Sequence, residues 1–440
     1  MMNGRIGMLF SCFLTLACCT PMSDNFQENT TEDGAFILVD TIFARGAMGE
    51  DSCPSRFLAS GKGSYVSGKY GGSSEQIGAA TGRFRVALTH KGWTFVDPDG
   101  HRFFGAGVNS VPPPEHFSKI DVPGDLREMG LNHLANWSAY ESINAGNTPM
   151  PYTARELFLQ GYKNEAQRTK ALFLKGIIPV FDPDFALFAD QLAKRAADKY
   201  LNDPWCIGIF SDNELPLYSN DRYGDLLERF LDIADTTDAN YLAAYNWMLE
   251  RKGRSDFQVT AGDSYDWHGY LASYYYRIVY TALKKYAPDL LFLGSRLHGA
   301  AKSYPNIFVA SAPWVDVFSI NFYGPCEPPA AQLGFWSEGV NKPYIVSEFY
   351  AKGFDVALDN SGGAGLHVPS QGDRALYFEN FVLRLMEQKN CIGYQWFRFQ
   401  DDASNKGLLD AEENWYQPLK RSLTKINSNL YPLLDFMRNE

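Results

Sequence analysis

From residue 103 onward, short apolar runs alternate with longer stretches of helical periodicity, and this alternation narrows the possible folds more than any other feature. The apolar cores fall at 103–108, 131–135, 177–181, 207–210, 290–294, 315–320, 344–346 and 392–396, which makes eight. Helical stretches lie between them at 187–200, 269–286 and 374–388, the last with Asp373 as an N-cap candidate, and 418–437 reads as a closing helix. Repeated strand–helix units pair their strands in parallel and cover the sheet with helices. Eight of them predict an α/β fold of the (β/α)8 TIM-barrel type over residues 101–440, within the size such barrels reach once loops are inserted. The competing architecture is a doubly wound open sheet, whose first βα turn should carry a GxGxxG phosphate loop. Here Gly105-Ala106-Gly107 runs into Val108-Asn109-Ser110, and the motif is incomplete.

Upstream, residues 84–89 and 92–96 alternate apolar and polar, and Asp97-Pro98-Asp99-Gly100 is a turn signal, so a β-hairpin is expected there. It belongs to a short β-rich N-terminal extension, residues 36–100, of which 36–80 is rich in Gly and Ser and carries no firm assignment. Residues 19–35 are polar and acidic, as a disordered tether should be. Residues 1–18 read as a lipoprotein-type signal peptide: Arg5 is the positive end, 6–17 the apolar core, and Ala17 directly precedes Cys18, the expected lipidated residue. Plain secretion with incidental cysteines is the alternative. The first reading predicts export and a lipid anchor on the bacterial outer membrane, facing the cell surface or the periplasm, with membrane contact through that anchor alone. Cys53, Cys206, Cys326 and Cys391 have no metal-ligand spacing; an exported chain could join two of them, and the sequence does not choose the pair.

The formal net charge is -11 with no basic stripe, which argues against a nucleic-acid partner. It gives no reason to expect a strongly anionic substrate either, although a local basic pocket would be invisible in the total. Aromatic residues make up 15% of the chain, which suits stacking on the flat faces of sugar rings as well as ordinary core packing.

Barrel chemistry sits at the C-terminal ends of the strands, so the polar residues just past each apolar run matter most. The fourth run ends Phe210-Ser211-Asp212-Asn213-Glu214 and the seventh ends Val346-Ser347-Glu348-Phe349. Strands four and seven face each other across an eight-stranded barrel, so two long carboxylates there can converge. Retaining hydrolysis of a glycosidic bond needs such a pair, about 5 to 5.5 Å apart, one protonating the departing oxygen and one capturing the anomeric carbon. Taken singly, Glu214 reads as a solvated loop carboxylate and Glu348 as a salt-bridge partner; their joint placement favours Glu214 as acid/base and Glu348 as nucleophile. Asn213 would bond the hydroxyl next to the reacting carbon. Tyr323 could hold the nucleophile ionised, and Trp396 could form a sugar-stacking floor. Trp137, Arg296 and His298 fall at the ends of strands two and five, where substrate contact and packing are equally open readings. Asp182-Pro183-Asp184 and Asp401-Asp402 lack a spaced oxygen-ligand loop, and no HExxH or GxSxG occurs, so neither a metal nor a cofactor is expected.

These residues together resemble the retaining glycoside hydrolases of clan A. Further segments resemble glycoside hydrolase family 50, the β-agarases: Trp93-Thr94-Phe95-Val96-Asp97-Pro98-Asp99-Gly100 leading to Gly107-Val108-Asn109, Asn136-Trp137-Ser138, Gly208 through Glu214, Leu293-Gly294-Ser295-Arg296, and Ser347-Glu348-Phe349. The resemblance covers residues 84–400. It implies cleavage of β-1,4 bonds in agarose or a related red-algal galactan, with retention and no cofactor, and adds Asn109 and Asn136 to the expected substrate contacts. Many such relatives carry a substantial carbohydrate-binding β-sandwich before the barrel, where this chain has only a short segment. The alternatives are a clan A β-mannanase, β-glucanase or β-galactosidase using the same glutamates, or a non-catalytic glycan-binding lipoprotein. A monomer or weak homo-oligomer is expected.

Overall fold

The computed structural model describes residues 68–337 and 339–438 in full, together with the backbone of five strand segments between 30 and 60. The signal peptide, Cys18 and residues 19–29 lie outside the described residues.

One sheet organises the molecule. Its seven strands are all parallel and run, in spatial order, Cys206–Ser211, Tyr152–Glu156, His133–Leu134, Gly105–Val108, Cys391–Trp396, Tyr344–Phe349 and Phe318–Asn321. The stretch 291–297 lies between the two outer strands. Its backbone bonds Ile209 on one side, with Leu293 N donating to Ile209 O at 2.8 Å, and the Phe318–Asn321 strand on the other, with Leu297 N donating to Ser319 O at 2.8 Å. The sheet is thereby a nearly closed barrel.

The third position differs from expectation. Residues 177–181 are not in the sheet, and Tyr152–Glu156 takes their place between the second strand and the fourth. Pro179 explains the exclusion, because it has no N–H to give a central ladder. Ile177, Ile178 and Val180 are nonetheless buried in the main hydrophobic cluster. The run 152–156 has no apolar signature, because Thr153 and Arg155 face the polar interior of the barrel and Glu156, on the other face, accepts from Tyr200 of the Pro183–Tyr200 helix.

Alternating residues feed two cores. Outward ones such as Ile209, Phe292, Phe318, Val346 and Tyr394 pack under the helices, while Ile207, Leu291, Leu293, Val317, Ile345 and Ile392 fill the N-terminal half of the barrel interior. The expected hairpin, Arg85–Thr89 with Gly92–Val96, is present and gains Arg102–Phe103 as a third strand. Phe84, Phe95 and Phe103 join the interior cluster, so the hairpin plugs the end opposite the site.

Above that plug the interior turns polar. Gly105 and Gly107 are there to make room for His133: a Cβ on Gly107 would lie 2.3 Å from His133 Nε2. The incomplete glycine motif is therefore a packing feature. Burial drives the His133 imidazole down to about 3, so it is neutral, and its Nε2 accepts from Gln395 Nε2 at 3.0 Å.

Helices Pro183–Tyr200, Ala261–Tyr286 and Gln371–Met386 match the expected ones with earlier starts, the last ending at Met386 rather than at 388. Ser370 caps the last, with Asp373 in its first turn. The closing segment is two helices, Gln417–Ser428 and Leu430–Arg438, broken at Asn429. At the N-terminal side, Gly34–Val39 pairs with Arg56–Ser60, with Thr30–Thr31, from the stretch read as a tether, at its edge; Ile42–Gly46 pairs with Gly49–Cys53. The second hairpin extends a small sheet, Ala351–Gly353 with Leu366–Val368, built from the loop after the Tyr344–Phe349 strand. Cys326 is disulfide-bonded, and Cys206 and Cys391 are buried free thiols. Among the described residues no helix is long and apolar enough to cross a membrane, and no cluster of metal-ligating side chains occurs.

Candidate active site

Backbone strain marks the place before any side chain is considered. Ser110, Trp137, Asp212, Glu214 and Arg296 all have φ between 53° and 61°; the first four follow the C-terminal end of a barrel strand, and Arg296 lies near the end of the 291–297 stretch. For non-glycine residues this left-handed conformation carries a cost and persists only where the surroundings enforce it. At Asp212 the enforcement is visible: Oδ1 accepts from Gln160 N at 2.8 Å, and Oδ2 from Leu159 N at 2.9 Å and Tyr275 OH at 2.7 Å. That carboxyl is fully buried, and burial pushes it up to about 6 against those hydrogen bonds. With Asp212 and Glu214 both left-handed, the intervening Asn213 and the glutamate turn into the barrel mouth.

Arg296 is the hub. Fully buried, it donates from Nε to Asn213 Oδ1 at 2.8 Å and from Nη2 to Glu348 Oε1, with longer contacts from Nη2 to Asn109 Oδ1 and Nη1 to Gln395 Oε1, both 3.4 Å. Tyr323 donates to the other oxygen of Glu348, Oε2. Burial, the largest influence, pushes the Glu348 carboxyl above its ordinary range; the Arg296 charge pulls it down, the Glu214 charge pushes it up, and the Tyr323 hydrogen bond pulls it down again. Glu214 is more open. Its Oε1 accepts from Asn321 Nδ2 at 2.8 Å, and His298 Nδ1 lies 3.8 Å from Oε2. Burial and then the Lys302 charge hold the His298 imidazole below its usual value, so it is a neutral neighbour at pH 7.

Of the expected residues, Glu214, Glu348, Asn213, Asn109, Arg296, Tyr323 and His298 therefore form one connected group. Asn109 supports it from below, Nδ2 donating to Ser347 O at 3.0 Å and Trp396 O at 3.1 Å. Trp137 stands beside it, 41% exposed, with the Arg296 guanidinium 4.7 Å from its ring centroid. Asn136 is buried with no partner at Nδ2, next to that ring in sequence.

Trp396 does not join them. It is fully buried, its indole N–H donates to Lys406 O at 2.9 Å, and its ring packs on Phe349, Phe378 and the Arg374 guanidinium. The period-2 alternation of the strand turns it to the helix side, so it is no floor for a sugar. The aromatic surface beside the group comes instead from Phe397, 5.8 Å from Trp137 and 5.9 Å from Tyr350 between ring centroids.

Asn321, Gln395 and Arg155 were not anticipated. Asn321 bridges the two acids' surroundings, donating to Glu214 and accepting from Ser347 Oγ at 2.8 Å. A signal existed for it and for Gln395, since each is a polar residue within an apolar strand. The Asp182 and Asp401 pairs are structural: Asp182 accepts from Arg168 and Asn240, and Asp401 from Tyr416 and Gly407 N.

No family model matches the chain. Beta-agarase A and Beta-agarase B of Vibrio sp. (strain JT0107) are each 27% identical to it, over 327 and 297 residues. Those alignments cover 65% and 58% of this chain but 32% and 30% of the two relatives, so the chain spans about a third of the length of the curated relatives it matches. The crystal structure of BpGH50 superposes with a TM-score of 0.78 at 27% identity, covering 94% of this chain and 98% of that one. The agarase AgWH50C superposes with a TM-score of 0.68 at 21% identity, covering 84% and 67%. The barrel and its decorations are thus a fold shared with these solved structures.

Proposed function

We propose that this chain is a retaining glycoside hydrolase acting on the β-linkages of an agarose-like red-algal galactan, with Glu348 as nucleophile and Glu214 as acid/base. The observation that carries the reading is the pair itself: two glutamates at the mouth of one parallel barrel, in unlike environments, joined through Arg296, Asn213 and Asn321. Similarity to two β-agarases supports the substrate class.

The chemistry follows from the environments. Glu348 is gripped by a permanent cation and a phenol, which offset part of the burial penalty on its charge and aim it, as attack on an anomeric carbon requires. Glu214, at 30% side-chain exposure and bonded only through a neutral amide and near a neutral imidazole, is free to carry a proton to the leaving oxygen and then to take one from water. Asn213, its Oδ1 occupied by Arg296, keeps its amide N–H for the hydroxyl beside the reacting carbon. In this reading the 291–297 stretch is the eighth stave of a (β/α)8 barrel spanning 101–440 behind a β-rich extension. Residues 1–18 direct export and Cys18 anchors the enzyme to the outer membrane; the disulfide at Cys326 is in keeping with an oxidising compartment.

The test is product analysis on agarose, porphyran, mannan and β-glucan, scored for new reducing ends, with anomeric configuration followed by NMR. New ends from an algal galactan with retained configuration, lost in Glu348→Gln, are the expected result. Cleavage of mannan or β-glucan alone removes the substrate assignment, and inversion removes the nucleophile.

A further inference from the structure

Arg155 is an unmatched, half-buried cation, whereas the buried arginines Arg102, Arg229, Arg296, Arg374 and Arg438 are all hydrogen-bonded. It is the fourth residue of the Tyr152–Glu156 strand, two beyond Thr153, whose Oγ1 accepts from Gln395 inside the barrel at 3.2 Å. The same strand face carries Arg155 to the mouth. Among the described residues its guanidinium makes no hydrogen bond and no ion pair; its contact is the Trp137 ring, 4.9 Å from guanidinium carbon to centroid. Arg168 and Arg251 by contrast each bond two aspartates, and the buried Arg374 and Arg438 each bond backbone carbonyls.

The nearby acids Asp212, Glu348 and Glu156 attract it through space, but none bonds to it. Asp212 is filled by two backbone N–H groups and Tyr275, Glu348 by Arg296 and Tyr323, and Glu156 accepts from Tyr200 OH at 2.9 Å. Burial lowers the Arg155 pKa, and the neighbouring Arg296 charge lowers it further. Holding a half-buried guanidinium without a partner, next to a second one, costs free energy that an incoming anion would recover. The planar fork suits a sulfate ester or a carboxylate, and Trp137, 41% exposed, adds apolar surface beside it. The total charge of the chain conceals this local excess.

We infer that Arg155, beside Trp137, forms a subsite for an anionic substituent, a sulfate ester or a carboxylate, on the sugar bound at the mouth. The inference rests on the proposed glycosidase reading and narrows its substrate class to acidic galactans.

The experiment compares three probes: porphyran oligosaccharides, the same oligosaccharides after desulfation, and pyruvylated agar oligosaccharides for the carboxylate arm. For each, kcat/KM is measured on the wild type, Arg155→Gln and Arg155→Lys, and affinity by calorimetry in a Glu348→Gln background. The wild type should favour a charged probe over the desulfated one by about 10- to 100-fold, Arg155→Gln should collapse that ratio, and Arg155→Lys should keep part of it. The preference should also fall as salt is raised. The arm that shows it identifies sulfate or carboxylate. Cleavage without preference, or a preference that Arg155→Gln leaves intact, overturns the subsite while the glycosidase reading stands. If neither these probes nor agarose is cleaved, that reading fails, and the calorimetric ratio still decides the subsite.

Discussion

The phenol of Tyr323, just past the Phe318–Asn321 strand, donates to Oε2 of Glu348 on the neighbouring strand, leaving the carboxylate with both oxygens engaged before any substrate arrives. Tyr323→Phe keeps the ring and removes that donor. Since the hydrogen bond lowers the Glu348 pKa while burial raises it, the pKa of Glu348 should rise in the variant. The acid limb of kcat/KM against pH should therefore move upward, and the plateau should fall about 10- to 100-fold. An unshifted acid limb would show that the phenol does not control the ionisation of Glu348.

Asp212 gives a pH dependence of stability with a definite sign. Its carboxyl is buried and lifted to about 6 from an ordinary value near 3.8. A raised folded-state pKa means that the folded state binds the proton more tightly, so stability falls as pH rises from about 4 to about 6 and is constant beyond. The loss is on the order of 3 kcal/mol. Other carboxylates titrate in the opposite sense, Asp263 being held well below its usual range, so the difference between variants is the quantity to read. Chemical denaturation of the wild type and Asp212→Asn at pH 4, 5, 6 and 7 should show the wild type losing ground across that window. A difference independent of pH would refute the assignment.

The alternation of strands and helices was legible because a two-sided buried sheet needs continuous apolar runs, and both glutamates were legible because they terminate two of those runs. What escaped notice did so for physical reasons. Tyr152–Glu156 is a central strand whose inward side chains are polar, since it borders the polar upper interior, and no apolar signature survives. The 177–181 run has that signature and a proline that forbids the role. Trp396 ends a strand, as expected, but one residue of register separates the mouth from the helix layer, and sequence does not fix which way it falls. The left-handed backbone at Trp137, Asp212, Glu214 and Arg296 involves no glycine and leaves no compositional trace.

The two tryptophans should therefore separate cleanly. Trp396→Ala empties a fully buried site and should cost about 3 to 5 kcal/mol in denaturant unfolding. Trp137→Ala removes a ring that is 41% exposed at the mouth and should leave stability within about 1 kcal/mol while raising KM. Equal losses of stability would place Trp137 in the core.

Lys352 links the loop beyond the seventh apolar run to the aromatic wall of the site. Its ammonium is buried without a carboxylate and donates to three loop carbonyls, Asn360 O and Gly362 O at 2.9 Å and Gly363 O at 3.2 Å. That loop packs on Tyr350, close enough that a Cβ on Gly365 would lie 2.1 Å from Tyr350 Cε2, and the Tyr350 ring meets Tyr323 edge-on at 5.3 Å. Lys352→Met fills the same space but supplies no donors, leaving three carbonyls to find water. An unsatisfied buried polar group costs about 1 to 3 kcal/mol, which a surface loop repays by opening rather than by unfolding the barrel. Amide exchange across 354–365 should accelerate at least about tenfold, with KM rising as the Tyr350 wall loosens, while exchange in the barrel strands stays as slow as in the wild type. Acceleration spread evenly through the strands would mean that the lysine supports the whole fold, and no acceleration at 354–365 would mean that the loop is held by its other contacts.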